Sequence, residues 1–183
     1  MASLGNAAAS GSGLYRHGLN RPWRKLFSGL ALTVVLTCAT PAFGASKARI
    51  TDLANFSFNT ITDLTSDSSL AEDVCVFSDS STSGYRVTAT GSGTGGAFTL
   101  SPVSGTGTLA YEVQWKGQAG AQSGSSLTAG SPLTGQVSAA TQQQCNSGPA
   151  SSASLIVILR AAALSTATTG SYSGSLTLLI APE

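Results

Sequence analysis

The chain has 183 residues, of which 42% are hydrophobic and 9% are charged, and its formal net charge at pH 7 is +1. A chain of this length is expected to form one domain around one core. Because Lys and Arg form no cluster beyond the first 44 residues, the composition excludes the basic surface that nucleic-acid binding requires.

The first 44 residues have the three parts of a secretory signal peptide. Four basic residues precede a mostly apolar run at 26–39, and Ala42 and Gly44 are the small residues expected before a cleavage site at Ala45. The apolar run is shorter than the roughly 20 residues that cross a bilayer, so a membrane anchor is the weaker alternative. We therefore predict that residues 1–44 are removed on export and that no membrane span remains.

Residues 45–183 contain two cysteines, Cys75 and Cys145, and carry five basic residues against eight acidic ones. Exported compartments are oxidising, so an even pair of cysteines is typical of a disulfide. Two free buried thiols are the alternative. A metal site is disfavoured, because two thiols without any histidine supply too few soft ligands.

After residue 45 the hydrophobic pattern has the period of β-strands. It predicts strands near residues 56–61, 72–79, 84–90, 96–100, 109–117, 132–138, 153–161 and 172–180. A short edge strand is expected near Leu127, and one helical turn within 159–167. The unbroken apolar run from Leu155 to Leu159 predicts a central strand covered on both faces. Short strands without long helices indicate an all-β, antiparallel β-sandwich.

The closing stretch, TGSYSGSLTLLIAPE, alternates from its tyrosine onward. Serines, threonines and Leu179 fall on one face of this predicted strand. The other face is apolar and is predicted to be buried; it consists of Tyr172, Leu176, Leu178 and Ile180.

The stretch GSGTGG satisfies the pattern Gly-x-Gly-x-x-Gly at Gly91, Gly93 and Gly96. A dinucleotide-binding site needs a helix directly after such glycines, so that the helix N-terminus meets the pyrophosphate. A β-type run follows here instead. The stretch is therefore predicted to be a glycine-rich hairpin between two strands.

Residues 45–183 predict neither an enzyme nor a cofactor. They contain no histidine, which excludes a Ser-His-Asp triad. Lys116 ends an amphipathic strand on its polar side, and Glu72 and Asp73 are adjacent and point to opposite faces, which does not suit paired-carboxylate hydrolysis. Asp63, Asp67 and Asp73 lack the spacing and central glycine of a calcium loop, so a solvated turn is predicted.

Four motifs together resemble the spore coat protein U family, which includes pilin subunits of the archaic chaperone–usher pathway. They are ITDLANFSFNTI, EDVCVFSDSSTSGYRVTATGSG, QQQCNSG and the closing GSYSGSLTLLIAPE, which contains G-x-Y-x-G-x-L-x-L. The resemblance implies an immunoglobulin-like sandwich that lacks one strand, which a partner supplies. It also implies export to the periplasm and then to the cell surface.

In such subunits a periplasmic chaperone lends a strand to an open groove, and the extension of the next subunit replaces it at the usher. The resemblance places that groove along Tyr172, Leu176, Leu178 and Ile180 of this chain. A donor extension should be a long alternating apolar segment. Only ASKARITDLA precedes Phe56, so the acceptor half of the mechanism is better supported than the donor half.

Two functional hypotheses follow from the sequence. The first is an exported, non-enzymatic structural subunit of a surface pilus or coat, assembled by donor-strand complementation. The alternative is a self-sufficient secreted adhesive or carbohydrate-binding module that would use exposed aromatic residues. Trp115, Tyr111 and Tyr85 are the candidates for it, although their alternation with polar residues favours a place in the core.

Overall fold

Eleven β-strands, one short helix and one 3-10 turn make up the regular structure of residues 45–183, the part of the chain that the computed structural model describes. The predicted signal peptide lies outside the described residues. The turn is Thr94–Gly96 and the helix is α1 (Ala161–Leu164). The strands are β1 (Ala48–Thr51), β2 (Ser68–Ser78), β3 (Gly84–Gly91), β4 (Thr99–Pro102), β5 (Leu109–Ala110), β6 (Glu112–Lys116), β7 (Ser125–Ser126), β8 (Pro132–Val137), β9 (Ala153–Leu159), β10 (Tyr172–Ser173) and β11 (Leu176–Pro182).

These strands pair in antiparallel fashion in three sheets. One sheet has the order β1-β2-β9-β6-β7, a second has the order β11-β3-β8, and a small third sheet has the order β10-β4-β5. The first two sheets contribute to one hydrophobic core. The fold is therefore all-β, antiparallel and sandwich-like, as the alternating patterns predict.

The core forms because every second residue of the facing strands is apolar. Trp115 on β6 and Tyr85 on β3 are fully buried, and the Trp115 indole Nε1 donates a hydrogen bond to the Tyr85 hydroxyl at 3.1 Å. Their rings meet edge to face, with centroids 6.3 Å apart, a favoured geometry for aromatic pairs. This contact joins the two larger sheets at the centre of the sandwich.

Strand β9 is buried along its whole length, which confirms the prediction of a central strand. It pairs with β2 on one side and β6 on the other. Leu155 and Val157 belong to the core between the sheets, and Ile156 on the opposite face is also 0% exposed. The predicted helical turn follows as α1, and the edge strand predicted near Leu127 is present as β7.

Four predicted elements differ from the structure, and one of them, the closing strand at 172–180, is divided between β10 and β11. Residues 56–61 form no strand, for reasons given below. The strand predicted at 109–117 breaks at Tyr111, because β5 pairs with β4 whereas β6 pairs with β9 in another sheet. The predicted glycine hairpin at 91–96 is wrong, since β3 and β4 do not pair with each other. The glycines form a crossover between sheets, where a Cβ on Gly91 would lie 2.2 Å from the Ala97 carbonyl oxygen.

The predicted disulfide between Cys75 and Cys145 is present, with the Cα atoms 5.9 Å apart. It attaches the loop between β8 and β9 to the outer face of β2. Strand β9 begins opposite Val74, so Val76 has no strand neighbour on that side. Hydroxyl groups of the loop take that place: Ser152 Oγ donates to the Val76 carbonyl and accepts from its amide, each at 2.8 Å, and Ser138 Oγ also donates to the carbonyl.

Candidate functional site

The candidate site begins with the inner face of β11. Leu176, Leu178 and Ile180 are half-buried and pack against the core, whereas Leu179 points outward and is 64% exposed. Tyr172 also packs against the core, but it lies on β10 and pairs with Pro102 of β4. The predicted apolar face is therefore divided between two strands, and β11 carries three of its four residues.

Between these two strands the chain passes through Gly174, which lies close to β4 and Ser92. A Cβ there would lie 2.9 Å from Leu100 Cδ2 and 2.8 Å from Ser92 Oγ, so no larger side chain fits without a shift. The glycine lets β10 join the small sheet while β11 continues beside β3. One alternating sequence stretch thus serves two sheets, and it changes from one to the other at residues 174–175.

The second feature of the site is the free edge of β11. Its seven residues pair in continuous register with β3, from Leu176 opposite Gly91 to Pro182 opposite Tyr85. Among residues 45–183, no strand pairs with the other edge of β11. A regular strand with an unpaired edge offers backbone donors and acceptors to another chain.

The other edges of the two larger sheets are less suited to pairing. Strand β7 has two residues, and β1 has four. Strand β8 begins with Pro132, and its Gly135 has a φ of 71°. Its register against β3 is also irregular. Short strands, prolines and irregular register are the usual means of blocking edge-to-edge association. Among the described sheets, β11 is the one long edge strand that pairs in regular register and lacks such protection. Its single proline, Pro182, is its last residue.

The third feature is the segment between β1 and β2, residues 53–66, which we call the linking segment. Its residues make no backbone–backbone hydrogen bond within the described part of the chain. Phe56, Phe58 and Ile61 nevertheless pack against the core, each half-buried. The alternation that predicts a strand at 56–61 thus corresponds to alternate burial without strand pairing.

The reason for this departure lies at Asp52. Thr51 pairs with Cys75, so an unbroken ladder would continue by placing Phe56 opposite Leu70 of β2. Asp52 instead adopts φ 64°, a left-handed conformation that turns the chain out of the sheet. Asn59 repeats this at φ 52°. Among residues other than glycine, Asn and Asp tolerate such angles best, and this is the sequence signal by which the departure could have been found.

Strands β1 and β11 lie side by side at the same margin of the sandwich. Ala48 pairs with Ser78, whose hydroxyl donates to the Gly84 carbonyl at 2.7 Å, and the Glu183 amide donates to the same carbonyl at 3.0 Å. The start of β1 and the end of β11 are therefore neighbours. Cα atoms of the two strands approach within 8 Å, yet the strands share no ladder.

The free edge of β11 carries little charge. Between Leu176 and Pro182 the sequence has no ionisable side chain, and Glu183 accepts a hydrogen bond from the Gly135 amide at 2.8 Å. At the far end of the linking segment, hydrogen bonds from the Ser66 and Thr65 hydroxyls lower the pKa of Asp63 from 3.8 to about 2. A neutral, apolar edge suits an apolar strand as its partner.

The aromatic residues considered for ligand binding belong to the core. Trp115 and Tyr85 are 0% exposed and Tyr111 is 8% exposed, so their ring faces offer no platform to a sugar. Burial raises the pKa of both tyrosine hydroxyls, which agrees with their position inside the protein.

The three aspartates considered for calcium have separate partners. Asp63 bonds to its own turn, and Asp67 bonds to Arg160 and to the Ala161 amide. Asp73 accepts from Ser154 Oγ and from the Gly120 amide. Within residues 45–183 no group of three or more potential metal-ligating side chains occurs, and no helix there is long and apolar enough to cross a membrane.

No protein-family model matches this sequence, and a comparison with curated proteins also finds no match. Among solved structures, the chain is similar to one described as a chaperone–tip adhesin complex that is vital for activation of CFA/I fimbriae biogenesis. The TM-score is 0.49 at 15% sequence identity, and the alignment covers 76% of this chain and 42% of that chain. The comparisons do not confirm the resemblance to the spore coat protein U family, which stays a prediction from the sequence motifs.

Proposed function

We propose that this protein is a non-enzymatic structural subunit of a surface pilus or coat that accepts a β-strand from another protein along β11. The observation that carries the proposal is the free seven-residue edge of β11 above a half-buried apolar face. In this proposal the domain is an immunoglobulin-like sandwich that lacks one strand. The missing strand would lie beside β11, along its unpaired edge.

Two physical terms favour such an insertion. Backbone groups on the free edge of β11 would gain partners, and each such hydrogen bond contributes about 1 kcal/mol net. Apolar side chains of the incoming strand would cover Leu176, Leu178 and Ile180, which are each only half-buried, and each newly buried CH₂ group adds about 0.8 kcal/mol. Main-chain bonds then supply affinity, and alternating side chains supply specificity.

The partners follow from the same proposal and from the resemblance of the sequence to archaic pilins. A periplasmic chaperone supplies the first strand, and another pilus subunit replaces it at the usher. Residues 1–44 direct export and are removed, so the mature chain passes through the periplasm to the cell surface. The self-sufficient carbohydrate-binding module is less favoured, because the aromatic residues that it requires are buried.

Co-expression with a periplasmic chaperone of the chaperone–usher class tests the proposal. We expect residues 45–183 to co-purify with it as a one-to-one complex. Leu178→Asp places a carboxylate on the inner face of β11, where burial of an unpaired charge costs several kcal/mol, so this variant should lose the complex.

Leu179→Asp is the matched control, because Leu179 is the next residue and points to solvent. It should retain the complex. Fluorescence of the buried Trp115 verifies that both variants are folded. A folded wild-type domain that forms no complex with the chaperone would contradict the proposal, as would equal loss in both variants.

A further inference from the structure

The strand nearest to the free edge of β11 is held weakly. We call residues 47–61 the β1 arm. Its strand β1 pairs only with β2, over four residues, and Asp52 ends it with φ 64°. Beyond that point residues 53–61 have no backbone–backbone hydrogen bonds within the described chain. At its start the Asp79 amide donates to the Lys47 carbonyl at 3.0 Å, and the Asp79 carboxylate accepts from the Lys47 amide.

The side chains of the β1 arm are also less buried than those of the strands beneath them. Ile50, Phe56, Phe58 and Ile61 pack against the core but are each only half-buried. By contrast, every residue of β9 is buried. Segments with few backbone hydrogen bonds and partial burial are the first to open in a folded protein.

The position of the arm conflicts with a strand bound along the full length of β11. Neighbouring strands lie about 4.8 Å apart, so a strand that fits between two others needs about 9.5 Å between them. Cα atoms of β1 lie within 8 Å of β11. A strand inserted between β1 and β11 would therefore need more room than the unbound chain offers where these two strands approach.

We infer that the β1 arm is a latch, which rests against the β11 edge in the unbound chain and leaves β2 when a partner strand occupies that edge. The inference rests on the proposed function of β11. Release of the latch breaks a four-residue ladder, and insertion forms a ladder along a strand of seven residues. The exchange therefore gains backbone pairing overall, which favours release of the latch by the partner strand and offsets the lost packing of its half-buried side chains.

Hydrogen exchange measured by mass spectrometry tests the latch with a defined probe. The probe is a synthetic peptide of about ten residues, a strand of ordinary length, in which Val alternates with Thr between terminal lysines. A peptide with Asn in place of each Val is the control. We expect the Val peptide to increase protection of 176–182 and, in the same titration, to decrease protection of 48–51.

A covalent lock provides a second measurement. Ala48 and Ser78 are directly paired, and paired residues on antiparallel strands lie within the Cα separation that a disulfide spans. In Ala48→Cys/Ser78→Cys the latch stays on β2, so the apparent affinity for the Val peptide should fall at least about tenfold. Ser78→Ala is the matched control, because it loses the same hydroxyl without the lock. A disulfide between Gln114 and Ser126, which pair on β6 and β7, controls for cross-linking as such.

The outcomes separate the latch from the function on which it rests. Increased protection of β11 with unchanged protection of β1, or equal affinity in the locked and unlocked chains, would overturn the latch and leave strand acceptance intact. No protection of β11 by the Val peptide would overturn both. If the locked variant does not fold, the exchange of residues 48–51 in the unmodified chain decides the question.

Discussion

Removal of the disulfide should have the largest effect on stability of any conservative change in the domain. Cys75 and Cys145 are 70 residues apart in sequence, and the chain-entropy model assigns a cross-link of this span about 4 kcal/mol. The same cross-link holds the loop that supplies Ser138 and Ser152 to Val76, and loss of those hydrogen bonds adds about 1 kcal/mol each where the backbone groups stay buried. Since domains of this size are stable by about 5–15 kcal/mol, a large part of the total depends on this bond.

Urea unfolding of Cys75→Ala/Cys145→Ala measures this effect. We expect the free energy of unfolding to fall by about 4 kcal/mol or more. The m-value should rise, because the denatured ensemble expands when the cross-link is absent. The wild-type chain under reducing conditions is the control and should unfold like the double variant. A loss below about 1 kcal/mol with an unchanged m-value would refute the reasoning, because it would mean that the loop holds its place without the bond.

Three further predictions concern single side chains. Trp115→Phe should lower the free energy of unfolding in denaturant by about 2–3 kcal/mol, because it removes buried volume and the hydrogen bond to Tyr85. In a double-mutant cycle, Tyr85→Phe should cost less in the Trp115→Phe background than in the wild type, and an equal cost in both would contradict the coupling of the two residues. Arg160→Gln breaks two partly exposed ion pairs, to Asp67 and Glu112, and should cost less than about 1 kcal/mol, with the difference shrinking at high salt. Asp63 should titrate with a midpoint of about 2 when its carboxyl group is followed by NMR, and a midpoint near 3.8 would contradict the hydrogen bonds of its turn. Because the pKa is lowered in the folded state, the stability that Asp63 contributes is present above pH 3.8 and is lost as the pH falls towards 2.

Most strands of the sandwich could be predicted, because the pattern of apolar and polar residues within one strand shows which of its faces are buried. The run Leu155–Leu159 has no polar position, which only a strand covered on both faces accommodates. Similarly, Leu176, Leu178 and Ile180 alternate with exposed residues, and the structure buries that face. The disulfide could be predicted from the even number of cysteines that follow a predicted signal peptide.

Strand pairing was harder to predict, because it depends on partners that are distant in sequence. The alternation of Phe56 and Phe58 indicates burial correctly but says nothing about whether their amides find a neighbouring strand. Likewise, the glycines at 91–96 suit a hairpin and a crossover equally well as local chemistry. Only the pairing of β3 with β11 and β8 decides between the two.

In the candidate site, too, burial could be predicted from the sequence but strand pairing could not. Its apolar face could be predicted from alternation, whereas its open edge is a relation between β11 and the rest of the chain. Gly174, which separates Tyr172 from the residues of β11, fits the alternating pattern without revealing the change of sheet. The approach of β1 to β11 has no local sequence signal at all, since the two strands stand at opposite ends of residues 45–183.

The central claim is that β11 has one paired edge in the unbound chain and two in the assembled one. Amide hydrogen exchange resolved by NMR over 176–181 tests it directly, because alternate amides of an edge strand point away from its neighbour. We predict alternating slow and fast exchange for the unbound domain, and slow exchange at every one of these amides in the complex with the chaperone. Slow exchange at all of them in a monomeric, unbound domain would contradict the account.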